Sequence, residues 1–197
     1  MAEQKGARGP GRPRSERSRT AVLTAARELL TDRGLPGLSM DDIAARAGVS
    51  KNTIYRWWPT KAAVLMDAFT DAFADRMEAP AEGDALTRLR IQLRRVAQLM
   101  NTPEARRPFV ALIAAAQHDP DLATALRERF LDGRRADVGV LIAAGIDNGE
   151  LPEDLDTDAV IDLIYGALYY RLLVSGAQLD PAYADRIMAL LTPVLRR

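Results

Sequence analysis

The residues of this chain best equipped for chemistry stand in one short stretch, Lys51-Asn52-Thr53 followed by Tyr55 and Arg56. They supply hydrogen-bond donors, acceptors and positive charge on the outward face at the start of a helix. That set meets base edges and phosphates; it does not make or break bonds. Conventional catalytic groups are sparse. The chain has no cysteine, which removes disulfides, thiolate metal sites and cysteine nucleophiles together, and only one histidine, His118. His118, Glu104 and Asp119 are the candidates for acid, base or metal chemistry, and they are too few and too conventional to build a site. No catalytic residue, metal or cofactor is expected.

The element that must position the polar set is Leu38 to Lys61, LSMDDIAARAGVSKNTIYRWWPTK, which reads as a short helix, a tight turn and a second short helix. Ser39 is placed to cap the first helix, with Leu38 and Ile43 packing across the cap as a hydrophobic staple. Gly48 follows Ala47 where the chain must turn sharply, and glycine accepts the positive φ such a turn demands. Ser50 then caps the second helix. Ile43, Ala47, Val49 and Ile54 can bury one shared core, and Ala44 is small enough for two helix backbones to approach closely.

The order of these residues, Ile43-Ala44, Ala47-Gly48-Val49-Ser50 and Thr53-Ile54-Tyr55-Arg56-Trp57-Trp58-Pro59-Thr60-Lys61, resembles the DNA-binding domain of the tetracycline-repressor (TetR) family of bacterial transcriptional regulators. The pair Trp57-Trp58 departs from it, because the family usually carries a smaller aromatic or histidine followed by phenylalanine. Lys51, Asn52 and Thr53 are expected nearest the base edges, and Tyr55 and Lys61 on phosphate. Ser39, Ser50, Arg56 and Trp57 complete the expected set on the double helix, with Arg12 and Arg14 from the arm described next. The resemblance further implies a homodimer on an inverted-repeat operator, a small-molecule effector, and a dimer interface made by the last two helices.

Residues 1–14, MAEQKGARGPGRPR, carry Lys5, Arg8, Arg12 and Arg14 among glycines and prolines without hydrophobic periodicity, and read as a disordered basic arm. Gly11-Arg12-Pro13-Arg14 looks like part of an AT-hook, in which arginines beside an extended backbone enter a narrow minor groove. The arm equally suits nonspecific phosphate affinity. Residues 1–61 hold 12 Lys/Arg against 6 Asp/Glu, +6, which leaves 15 against 21, −6, for residues 62–197. A basic front and an acidic rear suit a protein that offers one end to a polyanion. No apolar run approaches the roughly 20 residues that span a bilayer, and the N-terminus is not signal-like, so a cytoplasmic protein without membrane contact is expected.

At 197 residues and 48% hydrophobic content, one compact body plus a small appended domain is the natural division. The expected units are the arm to residue 14, a three-helix DNA-binding domain over 15–61, and an effector-binding and dimerisation domain over 62–197. Ser15 to Arg33 carries a helical stripe ending at Gly34, and Thr60-Lys61 opens a helix running to Met77, placed to transmit movement between the domains. From Asp84 onward every segment reads as helix, broken at Thr102-Pro103, Asp119-Pro120, Asn148 to Pro152 and Gly176 to Pro181, with Pro120 to Asp147 interrupted by its glycines. The fold is therefore all-α.

Phe109, Ile113, Gln117, His118 and Phe130, joined by Tyr165 and Tyr169, could line a pocket for a small, largely apolar effector, although the same residues would serve as ordinary core. Helix Asp156 to Ser175 carries two apolar stripes, Ile161, Ile164, Tyr165, Leu168 and Leu172 on one and Leu163, Gly166, Ala167, Tyr170 and Leu173 on the other, so it must be covered on both sides. The second stripe, with Ile187, Leu190, Leu191 and Val194 of the final helix, is the expected dimer interface. Three functions compete: a ligand-released repressor, an all-α enzyme or carrier with an incidental helix-turn-helix, and an architectural DNA-binding protein without effector. Sequence-specific DNA binding that a ligand abolishes separates them.

Overall fold

Seven of the helices in the computed structural model of this chain begin at a side chain that accepts a backbone N–H three residues on: Ser39, Ser50, Thr60, Asp84, Asp119, Asp156 and Asp180. Each satisfies one of the donors that a helix N-terminus leaves without a partner. The structure describes the backbone of residues 12–196 and the side chains of residues 15–196. The described residues are helical with short connections, and no strand occurs among them: α1 Arg12–Arg33, α2 Met40–Ala47, α3 Lys51–Tyr55, α4 Lys61–Phe73, α5 Ala85–Met100, α6 Pro103–Ala116, α7 Pro120–Leu126, α8 Asp132–Asp147, α9 Thr157–Tyr169 and α10 Pro181–Leu195. The all-α reading therefore holds.

Two boundaries differ from expectation. Helix α1 starts at Arg12, not Ser15. Pro13 is tolerated there because a helix's first turn does not use its N–H groups. The extended backbone of a minor-groove hook is thus not what Arg12 to Arg14 adopt; residues 1–11 and the side chains of Arg12 and Arg14 lie outside the described part. The second difference is in Pro120 to Asp147, where Gly133 and Gly139 sit inside α8 without breaking it. The irregularity is a π turn at Arg127–Leu131 that joins α7 to α8. A second π turn, Tyr170–Ser175, extends α9. Such wide turns shift the side-chain register within an otherwise continuous helix.

One hydrophobic core runs through both parts of the chain. Val22, Ala26 and Leu29 of α1 and Ile43 and Ile54 of the hairpin are fully buried, and α1 packs on α4, α2 and α6. Helix α4 is enclosed almost all round, with Ala62 to Met66, Ala68, Phe69 and Phe73 buried. One side of it belongs to α1 and the other to α7 and the first π turn. Helices α5, α8, α9 and α10 complete the body.

At one corner the packing is tighter than a side chain permits. A Cβ added to Gly145 of α8 would lie 2.6 Å from the Ala85 methyl and 2.8 Å from Leu151 Cδ1. The Gly145 carbonyl accepts from the amides of Glu150 (2.8 Å) and Leu151 (3.1 Å), and the Glu150 carboxylate accepts from Ala85 N at 2.6 Å. The corner locks the end of α8 against the start of α5. Gly145→Ala gains about 1 kcal/mol of helix propensity and incurs about 1–3 kcal/mol of overpacking, because the Ala85 methyl is fixed to backbone. A net loss of about 1 kcal/mol is expected in urea denaturation. An unchanged or higher midpoint would contradict the tight corner.

Candidate DNA interface and effector cavity

The hairpin that carries the polar set is fixed at every turn. Ser39 Oγ accepts from Asp42 N (3.2 Å) while Asp42 Oδ2 accepts from Ser39 N (2.9 Å), a reciprocal capping box. The Ser39 hydroxyl and then the Ser39 amide, both donating to the Asp42 carboxylate, hold its carboxyl below its ordinary range. Ser39 therefore serves first as a cap. Gly48 adopts φ 65°, and Val49 N donates to the Ala44 carbonyl at 3.1 Å, closing α2 in a left-handed turn. Ser50 Oγ accepts from Thr53 N at 3.2 Å and shares a hydrogen bond with Thr53 Oγ1 at 3.0 Å. After α3 the chain continues as a turn in which Trp57 N and Trp58 N both donate to the Ile54 carbonyl.

With Ile54 and Trp58 buried, the other side chains of this stretch face outward. Lys51, Asn52, Tyr55, Arg56 and Trp57 are exposed, Tyr55 at 50%, and Thr53 is half-buried. Several cations of this region already have partners. Lys51 Nζ lies 2.9 Å from Asp41 Oδ1, and its hydrogen bond to that carboxylate raises its pKa. Arg46 pairs with Glu28 and Asp32, and Arg33 with Asp42. All these pairs are solvated and contribute little to stability, so phosphate can displace them at small cost. Lys61 is different: its ammonium donates to the Leu38 carbonyl at 2.9 Å, tying the start of α4 to the chain before α2. One of its three N–H groups is spent inside the protein.

In the body, the residues expected to line a pocket separate into two groups. Phe109, Phe130 and Tyr169 come together with Phe69 of α4, with ring centroids 5.2–6.1 Å apart between Phe109 and each of the other three. Tyr165 lies next to Tyr169, ring centroids 6.3 Å apart and tilted by 36°. Burial pushes both phenols up, Tyr169 to about 12, so both are neutral hydroxyls. Ile113 packs partly buried at the edge. Gln117 and His118 do not join them. Both are exposed at the end of α6, where Gln117 Nε2 donates back to the Ile113 carbonyl. The register of α6 turns them away from the core once Phe109, Leu112 and Ala116 are buried. Glu104 and Asp119 are exposed as well.

The aromatic group encloses an inner cavity of about 20 Å³, lined by Phe109, Phe130, Tyr165, Tyr169, Val96 and Met100 among others. Beside it, across shared walls, lies an outer cleft of about 320 Å³ between α8 and α9, lined by Leu131, Ile161, Asp162 and Gly166. Tyr165, Tyr169 and Arg134 line both. Arg134 puts a charge on the wall of a pocket expected to take a largely apolar effector. Nothing in its sequence context distinguishes it from its exposed neighbours.

A link between the two regions also went unread in the sequence. Trp58 is 2% exposed, and its indole Nε1 donates to Asp67 Oδ2 at 2.7 Å. Arg129 Nη1 donates to both oxygens of the same carboxylate at 2.9 Å. Arg129 stands on the π turn beside Phe130 of the cavity wall, and its carbonyl accepts from Thr70 Oγ1 of α4 at 3.4 Å. Asp67 thus joins the end of the recognition hairpin to the wall of the cavity. The signal available was an acidic residue within the otherwise apolar stretch Ala62 to Phe69.

The comparisons with known proteins match this geometry along its length. Residues 22–68 match the family model described as bacterial regulatory proteins, tetR family, and residues 79–191 match the tetracyclin repressor-like C-terminal domain. The chain belongs to the TetR family of transcriptional regulators. Relatives of this TetR-family chain include the HTH-type transcriptional regulator YdeS of Bacillus subtilis, 41% identical over 179 residues that cover 90% of each chain. The DNA-binding transcriptional repressor TetR of Mycobacteroides abscessus is 31% identical over 89% of this chain and 92% of its own. Among solved structures, the TetR family transcription regulator SCO0332 superposes with a TM-score of 0.79 at 35% identity, over 89% of this chain and 97% of that one. No helix among the described residues of this regulator is long and apolar enough to cross a membrane.

Trp58→Phe keeps a ring in the core and removes the bond to Asp67. A hydrogen bond to a charged group is worth about 1.5–3 kcal/mol, so a stability loss of that order is expected in urea denaturation. A double-mutant cycle with Arg129→Met should show coupling through the shared carboxylate, and additive losses would show that the two bonds are independent.

Proposed function

We propose that this TetR-family regulator is a homodimeric repressor that binds an inverted-repeat operator through α3 and leaves it when a small molecule occupies the cavity of the body. The observation that carries the reading is the Asp67 junction, which ties the hairpin bearing the outward polar set to the cavity wall. A ligand that displaces Phe130 or the π turn pulls on Arg129, hence on Asp67 and Trp58, and so on the angle at which α3 is presented. Two reading helices must sit about one DNA turn, ~34–36 Å, or a multiple apart, so a small change of angle defeats binding without blocking the surface. Release requires that the ligand bind the two conformations with different affinity; a factor of 100 corresponds to about 2.7 kcal/mol.

Dimerisation rests on the second apolar stripe. Leu163, Gly166, Tyr170 and Leu173 on α9 and its π turn, and Leu190 and Val194 on α10, are exposed, Leu190 at 77%. Large apolar side chains gathered on one face call for a partner, and a second copy offers the matching surface. Ala167 and Leu191 are half-buried at its margin. Ile187 is to be removed from the expected set, because it is buried with Ala184 and Met188 in the body of its own chain.

Three measurements test the proposal. DNA selected by the protein from a random duplex library should contain an inverted repeat. Arg56→Ala should weaken binding to it and reduce the slope of log affinity against log salt by about 1, the signature of one lost phosphate contact; an unchanged slope would remove Arg56 from the interface. Sedimentation should give a wild-type dimer and a Leu190→Arg monomer at micromolar concentration, and a wild-type monomer would end the dimer reading.

A further inference from the structure

The inner cavity has one charged residue on its wall, Arg134, and that residue is incompletely used. Its Nη2 lies 3.1 Å from Asp137 Oδ2, but its Nη1 is fully buried and no protein acceptor reaches it. A guanidinium N–H withdrawn from water without an acceptor is costly, and each such group in a native structure calls for an explanation. Asp137 is half-exposed, so water can solvate its carboxylate when another acceptor takes its place on Arg134. On the outer wall Arg135 is already spent on two carboxylates, donating to Asp162 at 2.5 Å and to Asp158 at 2.8 Å. Arg134 is left as the cationic point of an otherwise aromatic and aliphatic enclosure, on the wall that cleft and inner cavity share.

We infer that the cleft takes a small amphiphilic carboxylic acid, its apolar body against Leu131, Ile161, Tyr165 and Tyr169 and its carboxylate on the guanidinium of Arg134. A planar carboxylate matches the guanidinium fork and can take both Nη1 and the Nη2 now held by Asp137. A neutral hydrocarbon would leave Nη1 as it is, and a cation would face Arg134 without compensation. The outer cleft, about 320 Å³, is at the small end of ligand sites, which limits the body to one or two rings or a short chain. The inference rests on the reading of the body as an effector domain and names the effector's class.

The test is calorimetric titration of the full-length protein, without DNA, with octanoate, 3-phenylpropionate and 2-naphthoate, each beside its methyl ester. Every acid that binds is expected to do so at least tenfold more tightly than its ester. Arg134→Met, which keeps the aliphatic stem, should weaken the acids ten- to hundredfold and leave the esters unchanged, and Arg134→Lys should restore part of the loss. Equal binding of acid and ester, undiminished binding of the acids to Arg134→Met, or no binding by any of the acids at millimolar concentration would overturn the inference; the acid–ester comparison stands even if the variants fold poorly. Addition of a bound acid to the protein–operator complex is read separately. Tight binding that leaves DNA affinity untouched would defeat the effector reading while leaving the carboxylate site in place.

Discussion

A single carboxylate, Asp67, bridges the recognition hairpin and the wall of the cavity. It stands on α4, the helix shared by the DNA-binding domain and the body, and receives the Trp58 indole from one side and the Arg129 guanidinium from the other. Its neighbours on α4 are apolar and buried, so the surroundings strengthen both bonds relative to water and make the loss of either partner expensive. Because one donor closes the recognition hairpin and the other stands on the cavity wall, rotating the hairpin about its own small core disturbs the carboxylate that also holds the π turn. Trp58 in place of the family's usual phenylalanine is therefore a structural addition, an indole N–H where a phenyl ring has none. Thr70, one turn further along α4 on the same face, adds a bond to the Arg129 carbonyl and fixes the π turn from its backbone as well as its side chain.

Much of the fold was legible because it follows from local rules. Ser39, Ser50, Thr60 and the four aspartate caps mark helix starts through chemistry confined to three residues, and Gly48 marks the turn for the same reason. The two stripes of α9 were legible because period alone separates Ile161, Ile164, Leu168 and Leu172, all buried, from Leu163, Gly166 and Tyr170, which are exposed. Gln117 and His118 were misplaced because a polar residue next to an apolar run carries no information about which side of the helix it falls on near the end. Arg129 and Arg134 were missed for a related reason. Seven residues of 127–137 are charged, and only the π turn, which has no sequence signature, decides which of them turn inward.

The polar face of α3 is held by bonds that are individually weak and collectively definite. Ser50 and Thr53 bond each other, Lys51 rests on Asp41, and Lys61 is drawn to the Leu38 carbonyl. Such a surface is ordered before any polyanion arrives, which lowers the entropy lost on binding. The same pairs impose a condition: any acceptor that approaches must offer Lys51 more than Asp41 does, a balance that shifts with ionic strength.

The two tryptophans of the chain are adjacent, and they face different worlds. Trp57 is 38% exposed beside the polar face of α3, Trp58 is sealed beneath it on Asp67, and their ring centroids are 6.4 Å apart. All the indole fluorescence of the protein therefore originates at the corner between the recognition hairpin and α4. Trp57 is open to soluble quenchers, while Trp58 is shielded from them and senses the carboxylate on its N–H. The native, unlabelled chain carries its own optical probe, one ring turned to the outside of that corner and the other to its inside.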